Sequence, residues 1–188
     1  MKLILIDGGP ASGKNTLGNL LVDEFKKLGN KAKLLDLDVY VEELNPSWIW
    51  DNKQQEEKDQ QKARENLAQD INKHLSKDFI VIIIGERFLT KEDISNFINR
   101  LKITPSIYLY HLSIPFSLRV QRLDERGPHS LIDLKKDQRE RDLNTKWYGY
   151  VYENVSSEKI DARDLFRLIQ DNQGLLDINL FKKQPKST

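Results

Sequence analysis

The sequence predicts an α/β protein in which a five-stranded parallel sheet lies between two layers of helices. Short apolar runs alternate with amphipathic stretches along most of the 188 residues. The strongest run, at residues 79–84, is apolar without alternation, which is typical of a central parallel strand that helices cover on both faces. Alternating strands and helices imply parallel strands joined by right-handed crossovers.

Each strand is predicted from a short apolar run. The predicted strands, in chain order, are residues 3–6, 33–37, 79–84, 106–111 and 148–153, of which the last is the weakest. In a parallel sheet the ligand lies beyond the carboxyl ends of the strands. The residues that follow each strand are therefore the first candidates for a functional site.

The predicted helices are stretches with a helical apolar pattern or a recognisable start. Thr90 is a capping residue with Asp93 at the third helical position, and Pro115 lies at or near the first turn of another helix. We predict helices at residues 17–28, 53–75, 91–101, 115–124, 133–146 and 162–170, and loops at residues 43–51 and 126–132.

Length and composition indicate a single globular domain. Charged residues make up 31% of the chain, hydrophobic residues 38%, and the net charge is +1. This balance argues against nucleic acid and anionic membrane as partners, and the lack of cysteine excludes disulfides and thiolate metal sites. No apolar run has the length of a membrane span, so we expect a cytoplasmic protein. The predicted domain covers residues 1–175, followed by a tail at 176–188.

The first predicted strand leads into a glycine-rich loop and then a helix. The glycines let the backbone curl so that successive N–H groups point into one concavity, and the helix start adds unpaired N–H groups. Lys14 brings a positive charge to terminal phosphates. Strand, Gly-x-x-x-x-Gly-Lys and helix together form a phosphate-binding loop in its expected context. The predicted ligands of the nucleotide are Gly8, Gly9, Pro10, Ala11, Ser12, Gly13, Lys14, Asn15 and Thr16.

One position departs from the usual phosphate loop. The residue after Lys14 is normally Ser or Thr, but here it is Asn15, with Thr16 next. The segment GGPASGKNT resembles the adenylate kinase loop GGPGSGKGT, in which the hydroxyl also comes two places after the lysine. The resemblance assigns the hydroxyl ligand of Mg²⁺ to Thr16, and it implies a P-loop NTPase fold of the nucleotide kinase type with a short lid.

Carboxylates follow the second and third predicted strands. Asp36 and Asp38 are two residues apart, so on a strand both side chains can point towards the site. Phosphoryl transfer benefits from a carboxylate that takes the acceptor proton and from others that hold hydrated Mg²⁺. We predict Asp38 as the catalytic carboxylate and Asp36 and Glu86 as metal ligands. Alternatively, one or both aspartates only cap the following turn.

Arginines provide the remaining candidates. Glu86 and Arg87 resemble the Glu-Arg-Ser motif of deoxynucleoside kinases, with Phe88 in place of the serine, and the resemblance implies that Arg87 contacts the acceptor or the phosphates. The alternative for this pair is a surface salt bridge.

A further group of arginines lies on one predicted helix face at spacings of three and four. Arg122 and Arg126 resemble the Arg-x-x-x-Arg lid entrance of nucleotide and small-molecule kinases, which implies a lid at about 119–142 and a catalytic role for both. We place Arg119 in the nucleotide site. Alternatively, these arginines pair with neighbouring acids on a solvated helix.

The acceptor is the least specified part of the sequence. We place its binding region at about 38–75, where Tyr40, Trp48 and Trp50 can either stack on a base or close the core. The leading hypothesis is an ATP- and Mg²⁺-dependent kinase of a small molecule, foremost a nucleoside or nucleotide, that is a monomer or homodimer. The alternatives are a nucleotide-binding regulatory protein without transfer and a kinase of a non-nucleotide acceptor such as a sugar acid. An adenylylsulfate-like acceptor belongs to the same alternative, because LLDLDVYVEELN resembles the LDGD stretch of adenylylsulfate kinases, although without its arginine.

Overall fold

Five parallel strands form one sheet in the computed structural model, which describes residues 1–125, 127, 133–144 and 146–181. Across the sheet the strands lie in the order β2-β3-β1-β4-β5, and each neighbouring pair is parallel. The strands are β1 (Lys2–Asp7), β2 (Ala32–Asp36), β3 (Ile80–Ile84), β4 (Ser106–Ser113) and β5 (Tyr150–Glu153). The predicted α/β fold with a five-stranded parallel sheet is therefore confirmed.

Helices cover both faces of the sheet and make three layers. The described residues form α1 (Lys14–Lys27), α2 (Leu37–Leu44), α3 (Lys53–Leu75), α4 (Lys91–Ile98), α5 (Phe116–Asp124), α6 (Leu134–Asp142) and α7 (Glu158–Gln170). Helices α1 and α7 pack on one face of the sheet, and α2, α3 and α4 supply the core of the other face. Each of the two cores includes alternate side chains of β1 and β3, which explains why these strands are apolar throughout.

Helix α2 was not among the predicted elements, and it corrects the placement of Asp38. The side chain of Asp36 accepts a hydrogen bond from the Asp38 backbone N–H and so caps the helix start. Asp38 consequently lies in the first helical turn rather than on the strand, and the expectation that both aspartates share one strand face is wrong. The buried residues Leu37, Tyr40 and Val41 recur at helical spacing, which is the signal that the sequence offered.

The end of the described chain also differs from its prediction as a tail. The backbone N–H of Leu176 donates to Ile107 O, and the side chain of Phe181 is buried against Tyr148. Residues 176–181 thus belong to the packed structure, because their apolar side chains cover the edge of one core. The rest of the predicted tail, residues 182–188, lies outside the described residues. Among the helices that are described, none has both the length and the apolar character needed to cross a membrane.

Candidate active site

The phosphate loop connects β1 to α1 in a conformation that requires small residues. Gly13, at the start of α1, has φ +90°, and Ala11 also lies in the left-handed region with φ +59°. A Cβ atom on Gly8 would lie 2.5 Å from Ser12 Oγ, and one on Gly9 would collide with Arg119. The backbone therefore curls tightly enough for its N–H groups to face a ligand.

The side chain of Lys14 is hydrogen-bonded to the loop itself. Its ammonium group donates to Gly8 O at 2.7 Å and to Gly9 O at 3.1 Å. Burial lowers the pKa of Lys14, while the nearby carboxylates of Asp7 and Asp38 act in the opposite direction. The side chain is held beside the loop by acceptors that an incoming phosphate can replace.

A cavity of about 570 Å³ lies over the loop. It is bordered by the loop, the first turn of α2, the turn after β3, and one side of α6. Its lining residues are Gly8, Gly9, Pro10, Ala11, Ser12, Gly13, Lys14, Asn15, Thr16, Asp38, Gly85, Glu86, Arg87, Asp133, Lys136, Asp137, Glu140 and Arg141. Three predicted site residues, Asp36, Arg119 and Arg122, do not line this cavity. The predicted catalytic residue Arg126 lies outside the described residues.

Asp38 and Lys14 line the same cavity, and each affects the pKa of the other. Burial, the like charge of Asp36 and the charge of Glu86 raise the pKa of Asp38 to about 6, although Lys14 opposes this shift. A carboxylate with such a pKa is ionised near neutral pH and still basic enough to accept a proton.

Asn15 has a partner that explains the departure from the usual loop. Its side-chain amide donates to Asp36 Oδ2 at 3.0 Å, while Asp36 Oδ1 accepts from Asp38 N at 3.1 Å. Gly85, with φ +82°, lies so close that a Cβ there would be 2.5 Å from Asp36 Oδ1. Asp36 is thus held as a helix cap from several sides. Its predicted role as a metal ligand stays a prediction.

Glu86 and Arg87 each form an ion pair with a different helix. The Nε atom of Arg64, on α3, donates to both carboxylate oxygens of Glu86 at 3.1 and 2.9 Å. Arg87 pairs with Glu140 on α6 at 2.7 Å. The metal and phosphate roles of Glu86 and Arg87 remain predictions, and the observed partners are groups that a ligand would have to displace or share.

A buried ionic network behind the loop was not predicted. Asp7, at the end of β1, accepts hydrogen bonds from both terminal nitrogens of Arg141 at 3.1 and 3.2 Å and contacts His111 Nδ1 at 2.9 Å. Burial alone would raise the pKa of Asp7, but His111 and Arg141 outweigh it and lower the pKa to about 2. The other ring nitrogen of His111 lies 2.6 Å from Tyr148 O. Asp7 therefore stays ionised and ties β1 to α6.

Arg119 extends this network to the loop itself. Its buried guanidinium donates to Pro10 O at 3.0 Å and to Asp137 on α6 at 2.6 Å. Asp137 also accepts from Arg141 at 3.2 Å. Arg119 thus connects α6 to the phosphate loop. Its predicted contact with the nucleotide stays a prediction. The sequence signals for the network were the strand-end positions of Asp7 and His111 and the i, i+4 spacing of Asp137 and Arg141.

The far side of the loop is anchored from the residue after β5. Asn154 is buried and its amide donates to Ser12 O at 2.6 Å. Arg122 approaches the same turn, since its terminal nitrogen lies 3.5 Å from the position that a Cβ of Gly13 would occupy. Asn154 directly follows β5, where the strand-end rule places candidates, but its contact with Ser12 was not predicted, because nothing local in the sequence links residues 12 and 154.

Several solved structures with a similar fold are kinases. A sugar kinase from Janibacter superimposes with a TM-score of 0.60 at 13% identity, covering 98% of this chain and 99% of its own. The APS kinase of Mycobacterium tuberculosis, solved with AMPPNP and APS, gives 0.60 at 14% identity, covering 90% and 97%. A gluconokinase from Sinorhizobium meliloti gives 0.58 at 13% identity, covering 91% and 94%.

The chain has the fold of the P-loop kinases. The profile of a family described as "Chromatin associated protein KTI12" matches residues 1–86, which include the loop, α2 and the turn after β3. No curated protein sequence matches the chain. The predicted resemblance to P-loop kinases is confirmed at the level of the fold.

The phosphate loop fits the phosphates of a nucleoside triphosphate and the metal ion bound to them. Ser12 Oγ is buried without a hydrogen-bond partner among the described residues, and the curled backbone around it forms a cradle. In the part of the chain that is described, no three His, Cys, Asp or Glu residues group into a metal site. Oxygen donors from Thr16 and the neighbouring carboxylates suit Mg²⁺ that is held mainly through substrate phosphates and water.

Proposed function

We propose that the protein is an ATP-dependent phosphotransferase that moves the γ-phosphoryl group of ATP to a hydroxyl of a small molecule. The observation that carries this proposal is the shared cavity of Lys14 and Asp38, in which the pKa of Asp38 is raised to about 6. A phosphate cradle without a proton acceptor would suit binding alone, whereas a cradle beside a basic carboxylate suits transfer.

The reaction that this geometry supports is an in-line displacement. The acceptor oxygen forms a bond to the γ-phosphorus as the bond to the β,γ-bridging oxygen breaks, and ADP leaves. Asp38 takes the proton of the acceptor hydroxyl. Lys14 exchanges its contacts with Gly8 O and Gly9 O for phosphate oxygens, and the loop N–H groups hold the remaining phosphate charge.

The remaining predicted residues complete the site. Thr16 would hold Mg²⁺ directly, with Asp36 or Glu86 acting through water, and the bound metal neutralises charge on the phosphates. Arg87 would leave Glu140 to contact the transferring group, together with Arg122 and Arg126. Arg119 fixes the loop and would also contact the bound nucleotide.

The acceptor class divides this proposal into two forms. A nucleoside or nucleotide acceptor requires a face on which its base can stack. A non-nucleotide acceptor, such as a sugar acid, requires hydrogen-bonding groups for its hydroxyls instead. Both forms use the same donor chemistry at Lys14 and Asp38.

A second candidate function is nucleotide binding without transfer to a small molecule. The match to the KTI12 profile favours it, because the profile covers the phosphate loop and Asp38, and its description names a chromatin-associated protein rather than a kinase. Under this candidate the protein binds ATP, and no small acceptor accelerates ADP release.

ADP release from ATP and Mg²⁺ separates the two candidates. We expect release to rise strongly with one acceptor in a panel of nucleosides, nucleoside monophosphates, sugar acids, shikimate and adenylylsulfate. Thermal-shift titration with ATP on the same protein reports binding independently of turnover. ATP binding without acceptor stimulation would favour the second candidate, and a lack of ATP binding would contradict both.

A further inference from the structure

A second cavity lies beside the one over the phosphate loop. It has a volume of about 760 Å³ and runs between the first half of α3 and helix α4. Glu86 and Arg87 line both cavities, so the two spaces meet at the turn after β3. An acceptor in the second cavity can therefore present a hydroxyl towards Lys14 and Asp38.

The lining of this second cavity is polar throughout. Each lining side chain that the structure describes is charged or carries an amide, and the amides are Gln60, Gln61 and Asn96. Nucleobases are bound by stacking on aromatic or apolar side chains as well as by hydrogen bonds. The described lining has no aromatic or apolar side chain, and the guanidinium planes of Arg64 and Arg87, on which a base could also stack, are held in ion pairs with Glu86 and Glu140.

The aromatic residues of the predicted acceptor region are used elsewhere. The Tyr40 hydroxyl donates to Asp70 at 2.9 Å, and Trp50 Nε1 donates to Asp59 at 2.9 Å. Trp48 contacts Trp50 edge to face, and both rings pack against the core beneath α3. Of the two roles that the sequence left open for these rings, the structure shows closure of the core.

Arg100 distinguishes one end of the cavity. Among the cations of the lining, Arg64 pairs with Glu86, Arg87 with Glu140 and Lys53 with Glu57. Arg100 is half-buried and forms no ion pair within the described part of the chain. A guanidinium in this position is suited to a carboxylate or phosphate of a ligand.

We infer that the acceptor is an anionic polyhydroxylated molecule rather than a nucleoside. Its carboxylate or phosphate contacts Arg100, its hydroxyls bond to the amides of Gln60 and Asn96, and one hydroxyl reaches the turn at Glu86 and Arg87. This inference rests on the proposed kinase function, because it names the acceptor of the same reaction. It selects the non-nucleotide form of that proposal.

ADP release with matched acceptors tests the inference. The acceptors are gluconate, sorbitol 6-phosphate, uncharged sorbitol, adenosine, cytidine and AMP, each with saturating ATP and Mg²⁺. We expect kcat/KM for gluconate or sorbitol 6-phosphate to exceed that for sorbitol and for the nucleosides by at least about tenfold. Whichever of the two is preferred identifies the anion as carboxylate or phosphate. Preference for a nucleoside or AMP would overturn the inference and leave the kinase proposal standing, whereas release stimulated by no acceptor would overturn both.

A variant in the second cavity gives an independent measurement. With the anionic acceptor, Arg100→Gln should raise the acceptor KM about tenfold, while kcat and the KM for ATP stay within about twofold. Lys91→Gln is the control, because Lys91 is an exposed cation at the start of α4, the helix that Arg100 follows, and it does not line the cavity. An unchanged acceptor KM in Arg100→Gln would contradict the placement of the anion.

Discussion

Two of the four sides of the cavity over the phosphate loop are built in different ways. One wall, here the loop wall, is residues 8–16, a single stretch of chain. The other, here the helix wall, is residues 133–141, which are fastened by ion pairs to Asp7, Arg87 and Arg119. The comparison shows that a ligand site can combine a locally encoded half with a half that exists only after long-range folding. Substitutions in the loop wall should therefore reduce catalytic activity, whereas substitutions that remove the ties of the helix wall should reduce the free energy of unfolding.

Lys14→Ala is the sharpest way to break the loop wall. Its ammonium is the positive charge of the loop that can reach the transferring phosphates, so we expect kcat/KM to fall about 10³-fold while the fold survives. The measurement is ADP release, with a melting curve on the same sample.

Lys26→Ala is the matched control for this variant, because Lys26 is an exposed cation in the last turn of the same helix. It should leave turnover unchanged. A Lys14→Ala protein with normal turnover would contradict the proposed mechanism.

Asp7→Asn is the corresponding change behind the helix wall. It leaves the charge of Arg141 and the ring of His111 facing a neutral amide in a buried site, so we expect a loss of about 3 kcal/mol in the free energy of unfolding. Urea unfolding checks this value, and the fluorescence of Trp147 reports on the site because its ring lies 4.7 Å from that of His111. A loss below about 0.5 kcal/mol would mean that this network does not hold the wall.

The same carboxylate predicts how stability depends on pH. The pKa of Asp7 is about 2 in the folded protein and about 3.9 in an unfolded chain. Its contribution of about 2 to 3 kcal/mol is therefore complete above the unfolded pKa and is lost as the pH falls towards 2. Asp7→Asn should lack this part of the acid dependence, whereas Asp23→Asn, an exposed acid on α1, should retain it.

Asp38→Asn tests the proposed role of Asp38 as the proton acceptor in the cavity. If the acceptor is a hydroxyl, kcat should fall about 10²-fold with ATP affinity kept, because the proton acceptor is gone. Wild-type kcat should rise with pH through about 6, since only the ionised carboxylate accepts the proton, and the variant should lack that rise. Glu42→Gln, an exposed acid on the same helix, should behave as wild type. A much milder loss would indicate a phosphate as acceptor.

The difference between the two walls also explains what could be predicted from the sequence. The parallel sheet and the phosphate loop depend on local patterns, an apolar run without alternation at 79–84 and glycines at fixed spacing around Lys14. The ties from Asp7 to Arg141 and from Arg119 to Asp137 depend on which helix face meets which strand end. A single sequence contains no local record of such pairs.

Helix α2 is an intermediate case. The capping residue Asp36 and the helical spacing of Leu37, Tyr40 and Val41 are visible in the sequence. However, the apolar pattern through Leu35 favoured continuing the strand, so Asp38 was assigned to the wrong element. The error lay in the boundary and not in the residue, because Asp38 still lines the cavity.

Asn15 connects the loop wall to the start of helix α2. A substitution at Asn15 has the smallest effect that we predict. Its amide holds Asp36, whose charge helps to raise the pKa of Asp38. Asn15→Asp places another negative charge beside that pair and should raise the pKa of Asp38. The pH at which kcat rises should therefore move up by up to about one unit, while kcat at high pH stays within about threefold of wild type. The control, Asn19→Asp, introduces the same charge one turn further along α1 on an exposed side chain and should leave the profile in place. A pH profile that is unmoved in Asn15→Asp would contradict the prediction that a charge at position 15 raises the pKa of Asp38. A residue with a merely structural role would instead lower the plateau at every pH, so the position of the rise separates the two roles.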